Sequence, residues 1–281
     1  MSIKLLNFLK RSQPLCVMNK RFLSLENTKK IKVNSIDINY LKVGNGPKTL
    51  LLLPGALGSI FTDFKPQVEN LDYEKYTIVA WDPPGYGLSR PPDRDFSSGF
   101  FYRDAEYAVM LMKALNINKY SLVGWSDGGI TALIAASKAI DQVQSVIVWG
   151  SNAYVTEKDI KLYENIRDIQ KWSPRMKQPF IDLYGEKYFS ETWSAWVDAF
   201  QEILKENNGD ICCEALSKIQ APTFILHGAQ DPLVPMEHPI YLHKNIKYGS
   251  LEIFPNGKHN IHLRYTEEFN AAIDKFLAIT Q

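Results

Sequence analysis

The sequence predicts an α/β fold: a mostly parallel sheet flanked by helices, with a helical insertion in the second half. Three observations lead there. Short apolar runs, each stopped by Gly, Pro, Asn or Asp, alternate with helical patterns. One of those runs enters Gly124-x-Ser126-x-Gly128, and a helical stretch follows at once. Between about residues 153 and 220 the apolar runs stop and aromatic side chains accumulate. A chain of 281 residues with 45% hydrophobic content can bury one large core, so residues 26–281 read as a single domain carrying that insertion.

The first 25 residues stand apart. They hold Lys4, Lys10, Arg11, Lys20 and Arg21 and no acid, while Leu5, Leu6, Phe8 and Leu9 could line one helical face. That composition is expected of a mitochondrial transit peptide, with Arg21-Phe22-Leu23-Ser24 resembling a processing site. A cytoplasmic chain with an untargeted tail is the alternative. The apolar runs are too short for a secretory segment or a membrane span.

Ile31 to Val33 and Ile36 to Val43 alternate around Asn34-Ser35 and read as a hairpin. Thr49 to Leu53 and Thr77 to Trp81 are continuous apolar runs, the pattern of buried parallel strands. Ser121 to Val123, Val146 to Trp149, Thr223 to Leu226 and Leu251 to Phe254 continue the series. Helical patterns fall at Tyr102 to Leu115, Ile130 to Ala139 and Thr266 to Ile279. The insertion follows the strand that ends at Trp149, so it overhangs the carboxyl ends of the strands, where ligands of such sheets bind.

Charge narrows the partners. Without the basic leader, 27 basic residues face 31 acidic ones, a net of −4. Nucleic acid and anionic membrane are therefore not expected as partners. The three cysteines (Cys16, Cys212 and Cys213) form no disulfide framework and no metal-ligand spacing, so no metal is expected. Monomer is the default oligomeric state.

A serine hydroxyl needs a base to take its proton and a third group to orient that base. Ser126 sits where a strand turns into a helix, the position of a nucleophile elbow. Asp231 lies just past the strand Thr223 to Leu226, where the acid of a triad belongs; Glu237 is a weaker substitute. His259 follows the last strand through a turn and is the favoured base. His262 is the second choice, with His227, His238 and His243 less well located. An oxyanion hole takes one N–H from the residue after the nucleophile, here Asp127, and one from an earlier strand-end loop. Pro54-Gly55-Ala56-Leu57-Gly58 is that loop, with Ala56 or Leu57 as donor.

Asp127 admits two readings. A first-turn acid gains from the helix dipole, and that needs no substrate. A carboxylate beside the reacting carbonyl would repel a developing oxyanion unless the substrate carries a cation there, as an α-amino acid ester does.

The chain resembles the α/β-hydrolase superfamily over Ile31 to Ile279. Within it, four segments are similar to the biphenyl hydrolase-like family of valacyclovir hydrolases: Gly124-Trp-Ser-Asp-Gly-Gly through Ala136, Trp149-Gly-Ser-Asn-Ala-Tyr through Thr156, His227-Gly with Asp231-Pro-Leu-Val-Pro235, and Gly257-Lys-His-Asn through Arg264. The resemblance implies an α/β-hydrolase fold with a helical cap. It implies a cofactor-free mitochondrial serine hydrolase for small-molecule α-amino acid esters, prodrugs among them, with small apolar or aromatic acyl groups. It makes Ser126 the nucleophile, His259 the base, Asp231 its orienting acid, and Leu57 with Asp127 the oxyanion hole. It also assigns the substrate ammonium to Asp127. Homocysteine thiolactone would present the same ammonium beside an activated carbonyl. Two rivals remain: a C–C hydrolase of ring-cleavage products, whose anionic substrate Asp127 should repel, and a non-catalytic binding protein on the same scaffold.

Overall fold

The computed structural model of the protein describes residues 23–280, so nearly all of the expected transit segment lies outside the described residues. Eight strands form one sheet: β1 (Lys29–Val33), β2 (Ile36–Val43), β3 (Lys48–Leu53), β4 (Tyr76–Trp81), β5 (Tyr120–Trp125), β6 (Val143–Trp149), β7 (Thr223–Gly228) and β8 (Gly249–Phe254). Their order is β1-β2-β4-β3-β5-β6-β7-β8. The strands from β4 through β8 pair in parallel, while β2 pairs antiparallel with both β1 and β4. The apolar runs sit at the centres of these strands. The ladders run on into polar residues that the runs exclude, as where His227 pairs with Ile253.

α1 (Ile60–Asp63) and α2 (Lys65–Asn70) follow β3, α3 (Phe100–Ala114) precedes β5, and α4 (Asp127–Lys138) follows it. α5 (Glu157–Asn165), α6 (Pro174–Tyr184), α7 (Glu186–Asn207) and α8 (Cys213–Leu216) lie between β6 and β7. α9 (Glu237–Asn245) connects β7 to β8, and α10 (Ile261–Arg264) and α11 (Thr266–Ile279) close the fold.

Period-two geometry explains why the strands read as unbroken apolar runs. Leu51 and Leu53 of β3 face one apolar layer, together with α3 and α4. Leu50 and Leu52 face the other, together with Phe269, Ile273 and Leu277 of α11. Every residue of α4 from Asp127 to Ala136 is buried. Its alanines let the helix lie close between the sheet and α3.

The segment between β6 and β7 holds helices, with a single isolated bridge between Tyr154 and Asp210. Its two ends are clasped together. Val155 N–H donates to Gly209 O at 2.8 Å, and Ile211 N–H donates to Ala153 O at 3.0 Å. α7 is amphipathic, burying Phe189, Trp193, Trp196 and Phe200 at helical spacing. These rings pack with Tyr163 and Trp172 into one aromatic core; Trp193 and Trp196 stack at 4.8 Å between centroids.

Candidate active site

The site grows from the turn between β5 and α4. Ser126 has φ +54° and ψ −122°, a left-handed backbone rare for a residue with a Cβ. Two glycines make the turn possible. A Cβ on Gly124 would lie 2.3 Å from Gly128 O, and one on Gly128 would lie 2.0 Å from Leu53 O. The helix start can therefore press against β3 only while both lack side chains.

Three of the expected residues come together at the carboxyl edge of the sheet. His259 Nε2 lies 3.1 Å from Ser126 Oγ, and His259 Nδ1 lies 2.8 Å from Asp231 Oδ2. Asp231 Oδ1 accepts the N–H groups of Leu233 and Val234 at 2.9 and 3.0 Å. Burial works to raise the Asp231 pKa, but His259 and those hydrogen bonds outweigh it, and the carboxyl is held below its ordinary value. This bonding fixes the tautomer that leaves Nε2 facing the serine. The Trp125 indole N–H donates to the His259 carbonyl at 3.0 Å and anchors the loop that carries the imidazole.

The other histidines do other work. His262 is fully buried, takes the Trp149 indole N–H on Nδ1 at 2.9 Å and donates from Nε2 to Asp63 O at 2.9 Å. Burial pushes its pKa down to about 3, so it stays neutral and structural. His238 pairs with buried Asp159 at 3.0 Å, and His243 meets Gly249 O. His227 is buried at the end of β7. Glu237 pairs with Lys158 on the surface at 3.6 Å.

In the loop after β3, Gly58 N–H donates to Gly55 O at 3.0 Å and closes a turn. Leu57 occupies its third position at φ +54° and is fully buried, whereas Ala56 is part-exposed. Between the two donors the sequence left open, Leu57 therefore carries the turn's backbone distortion. Asp63 holds the start of this loop, accepting the Gly55 N–H at 2.8 Å and the Thr62 hydroxyl at 2.7 Å. Burial raises the Asp63 pKa to about 7. The Asp127 N–H donates to no acceptor among the described residues.

Asp127 is buried, and its Oδ2 accepts the indole N–H of Trp196 from α7 at 2.8 Å. Its Oδ1 accepts no hydrogen bond among the described residues. Burial raises its pKa to about 7, against the pull of Trp196 and Arg94. Arg94 is itself buried and forks onto Asp104 at 2.9 and 2.6 Å. A cavity beside Asp127 is lined by Gly55, Tyr86, Arg94, Asp104 and Thr131. The helix-dipole reading accounts for the position of Asp127 but not for a carboxylate buried against a cap residue. Trp196, Arg94 and Asp63 carry no motif; the aromatic richness of the insertion was the only signal for Trp196.

The alpha/beta hydrolase family profile matches residues 50–272 of the chain. Serine hydrolase BPHL of Homo sapiens is 51% identical over 248 residues, which cover 88% of this chain and 85% of that protein. A hydrolase of 2-hydroxy-6-oxo-6-(2'-aminophenyl)hexa-2,4-dienoic acid from Metapseudomonas resinovorans is 23% identical, covering 88% of this chain and 90% of that one. Among solved structures, a meta-cleavage product hydrolase from Pseudomonas fluorescens IP01 superposes with a TM-score of 0.76 at 21% identity, covering 92% of this chain and all of that one. That likeness is one of fold, and it agrees with the mostly parallel sheet read from the sequence. The chain belongs to the alpha/beta hydrolase family, and within it is an enzyme of the serine hydrolase group that includes BPHL.

Proposed function

We propose that the protein hydrolyses α-amino acid esters through an aminoacyl-enzyme on Ser126. Ser126 Oγ attacks the ester carbonyl carbon while His259 Nε2 takes the hydroxyl proton. The carbonyl π pair moves onto oxygen, where the N–H groups of Leu57 and Asp127 receive it. Collapse of the tetrahedral adduct expels the alkoxide, which leaves as alcohol with the proton from His259. Water then attacks the acyl carbon, giving its proton to His259, and Ser126 departs with that proton. Asp231 orients the imidazole and stabilises its charged form.

The observation that carries the substrate class is the Asp127 carboxylate, buried beside the nucleophile with one oxygen unbonded among the described residues. Burying a carboxylate that holds a single side-chain hydrogen bond costs stability, and an α-ammonium next to the scissile carbonyl would offset that cost where it arises. A charge-assisted hydrogen bond of about 1.5–3 kcal/mol gives roughly ten- to a hundred-fold discrimination. The same carboxylate disfavours the anionic substrates of C–C hydrolases. Small apolar or aromatic amino acids are the acyl groups we expect, and homocysteine thiolactone belongs in the same panel.

The test compares an α-amino ester with its N-acetylated form. Asp127→Asn should lower kcat/KM for the amino ester by roughly ten- to a hundred-fold and leave the N-acetyl ester near its wild-type rate. Equal losses on both esters would remove the ammonium role from Asp127. A fluorophosphonate label that persists in Ser126→Ala would remove the nucleophile role from Ser126.

A further inference from the structure

We infer that the cap completes the catalytic site: Tyr184 of α6 is a positioning residue for the oxyanion donor Leu57, and Trp196 of α7 is a positioning residue for Asp127. The inference rests on the proposed serine mechanism. The Tyr184 hydroxyl is the bridge. It donates to Leu57 O at 2.8 Å and accepts the Gly87 N–H at 2.8 Å, in a buried position. Trp196 reaches the other donor residue, its indole N–H lying 2.8 Å from Asp127 Oδ2. Each of the two proposed oxyanion residues is thus held by one hydrogen bond from a cap helix.

The need for such a hold follows from the backbone. A left-handed non-glycine residue costs about 1–3 kcal/mol and persists only where its surroundings over-determine it. Leu57, at φ +54°, is such a residue. The Gly55–Gly58 turn and Asp63 fix the start of the loop, and Tyr184 fixes the carbonyl that follows the strained Cα. Without that bond the Leu57–Gly58 peptide can rotate and the strained turn can relax, which moves the preceding peptide and the Leu57 N–H it carries away from the point where charge develops. The cap grips as one body. Tyr184 and Trp196 belong to α6 and α7, which Gly185 joins directly. Trp196 is wedged among Trp193, Tyr163 and Phe200. A cap displaced from the sheet loses both contacts together, so the oxyanion hole is complete only when the cap is seated.

Tyr184→Phe keeps the ring and removes the bridge. It should lower kcat roughly tenfold or more on both the amino ester and the N-acetyl ester, with KM nearly unchanged, because the lost interaction acts on the transition state. Trp196→Phe should instead raise KM for the amino ester alone. Fluorophosphonate labelling needs the same oxyanion hole whatever the natural substrate. Its rate should fall with Tyr184→Phe by the same factor as kcat, so the inference is tested even if the ester reading fails. In a Leu57→Gly background, Tyr184→Phe should cost little more, because glycine adopts the left-handed backbone without strain and needs no hold. Labelling by Tyr184→Phe within about twofold of the wild-type rate would overturn the inference. So would full additivity with Leu57→Gly. Absent ester turnover with labelling still slowed by Tyr184→Phe would overturn the substrate class and leave the cap contact standing.

Discussion

Ser126 and Leu57, the proposed nucleophile and the proposed oxyanion donor, are both side-chain-bearing residues with φ +54°. Each is held by neighbours that permit nothing else: glycines that take no Cβ at one, and Asp63 with Tyr184 at the other. Buried acids are the cost of this arrangement. Asp63 and Asp127 both titrate at about 7 because burial disfavours their charged forms. Folded protein therefore binds their protons more tightly than unfolded chain does, and they weigh on stability progressively as pH rises from the ordinary carboxylate range to about 7. Asp63→Asn should accordingly raise Tm more at pH 8 than at pH 4.5. Thermal unfolding at the two pH values reads this directly, and a larger gain at low pH would reverse the assignment.

At the scale of elements, β5 and α4 act as one device. The helix begins inside the turn, so its first N–H groups and its dipole point toward Ser126. Close approach of α4 to β3 depends on Gly128, where a Cβ would meet Leu53 O at 2.0 Å and Pro54 O at 2.4 Å. Backbone atoms cannot step aside as a flexible side chain can. Gly128→Ala should cost about 1–3 kcal/mol of stability and slow fluorophosphonate labelling as the proposed oxyanion residues separate. Urea unfolding together with the labelling rate measures both effects; wild-type values in each would contradict the packing argument. The cap works differently. Its helical, aromatic-rich character was legible in the sequence, but the choice of Tyr184 and Trp196 over the other rings was not. Helical spacing orders side chains along α7 and says nothing about which one reaches Asp127.

Across the molecule, two apolar layers hold the sheet from either side. Phe269 is fully buried against Trp149 and His262 in the layer under α11, 4.6 Å from the Trp149 ring centroid. Phe269→Ala should destabilise the fold by about 3–5 kcal/mol. That corresponds to a Tm lower by roughly 10 °C in a chain of this size, visible by calorimetry. The cavity would open beneath Trp149 and His262, which brace Asp63 through its carbonyl. A loss under about 1 kcal/mol would mean that the layer collapses to fill the space. Because the layer also supports the loop after β3, activity should fall before global unfolding.

The sequence by itself determined the α/β class, the strand cores, the elbow at Ser126 and the order serine, acid, histidine. Local rules carry those features: strand periodicity, turn chemistry and the absence of Cβ at Gly124 and Gly128 are written residue by residue. Position alone favoured His259 over His262, and the tertiary structure gives the two rings different surroundings. One ring points at Ser126 and the other is sealed between Trp149 and Asp63. Asp127 was ambiguous in sequence because a helix start and a cation site require the same residue. Its burial under Trp196, more than 60 residues away along the chain, is a long-range contact that no local pattern encodes. The same holds for Tyr184 on Leu57. Each joins segments whose meeting depends on how the sheet and cap assemble, and there the tertiary structure alone decided the site.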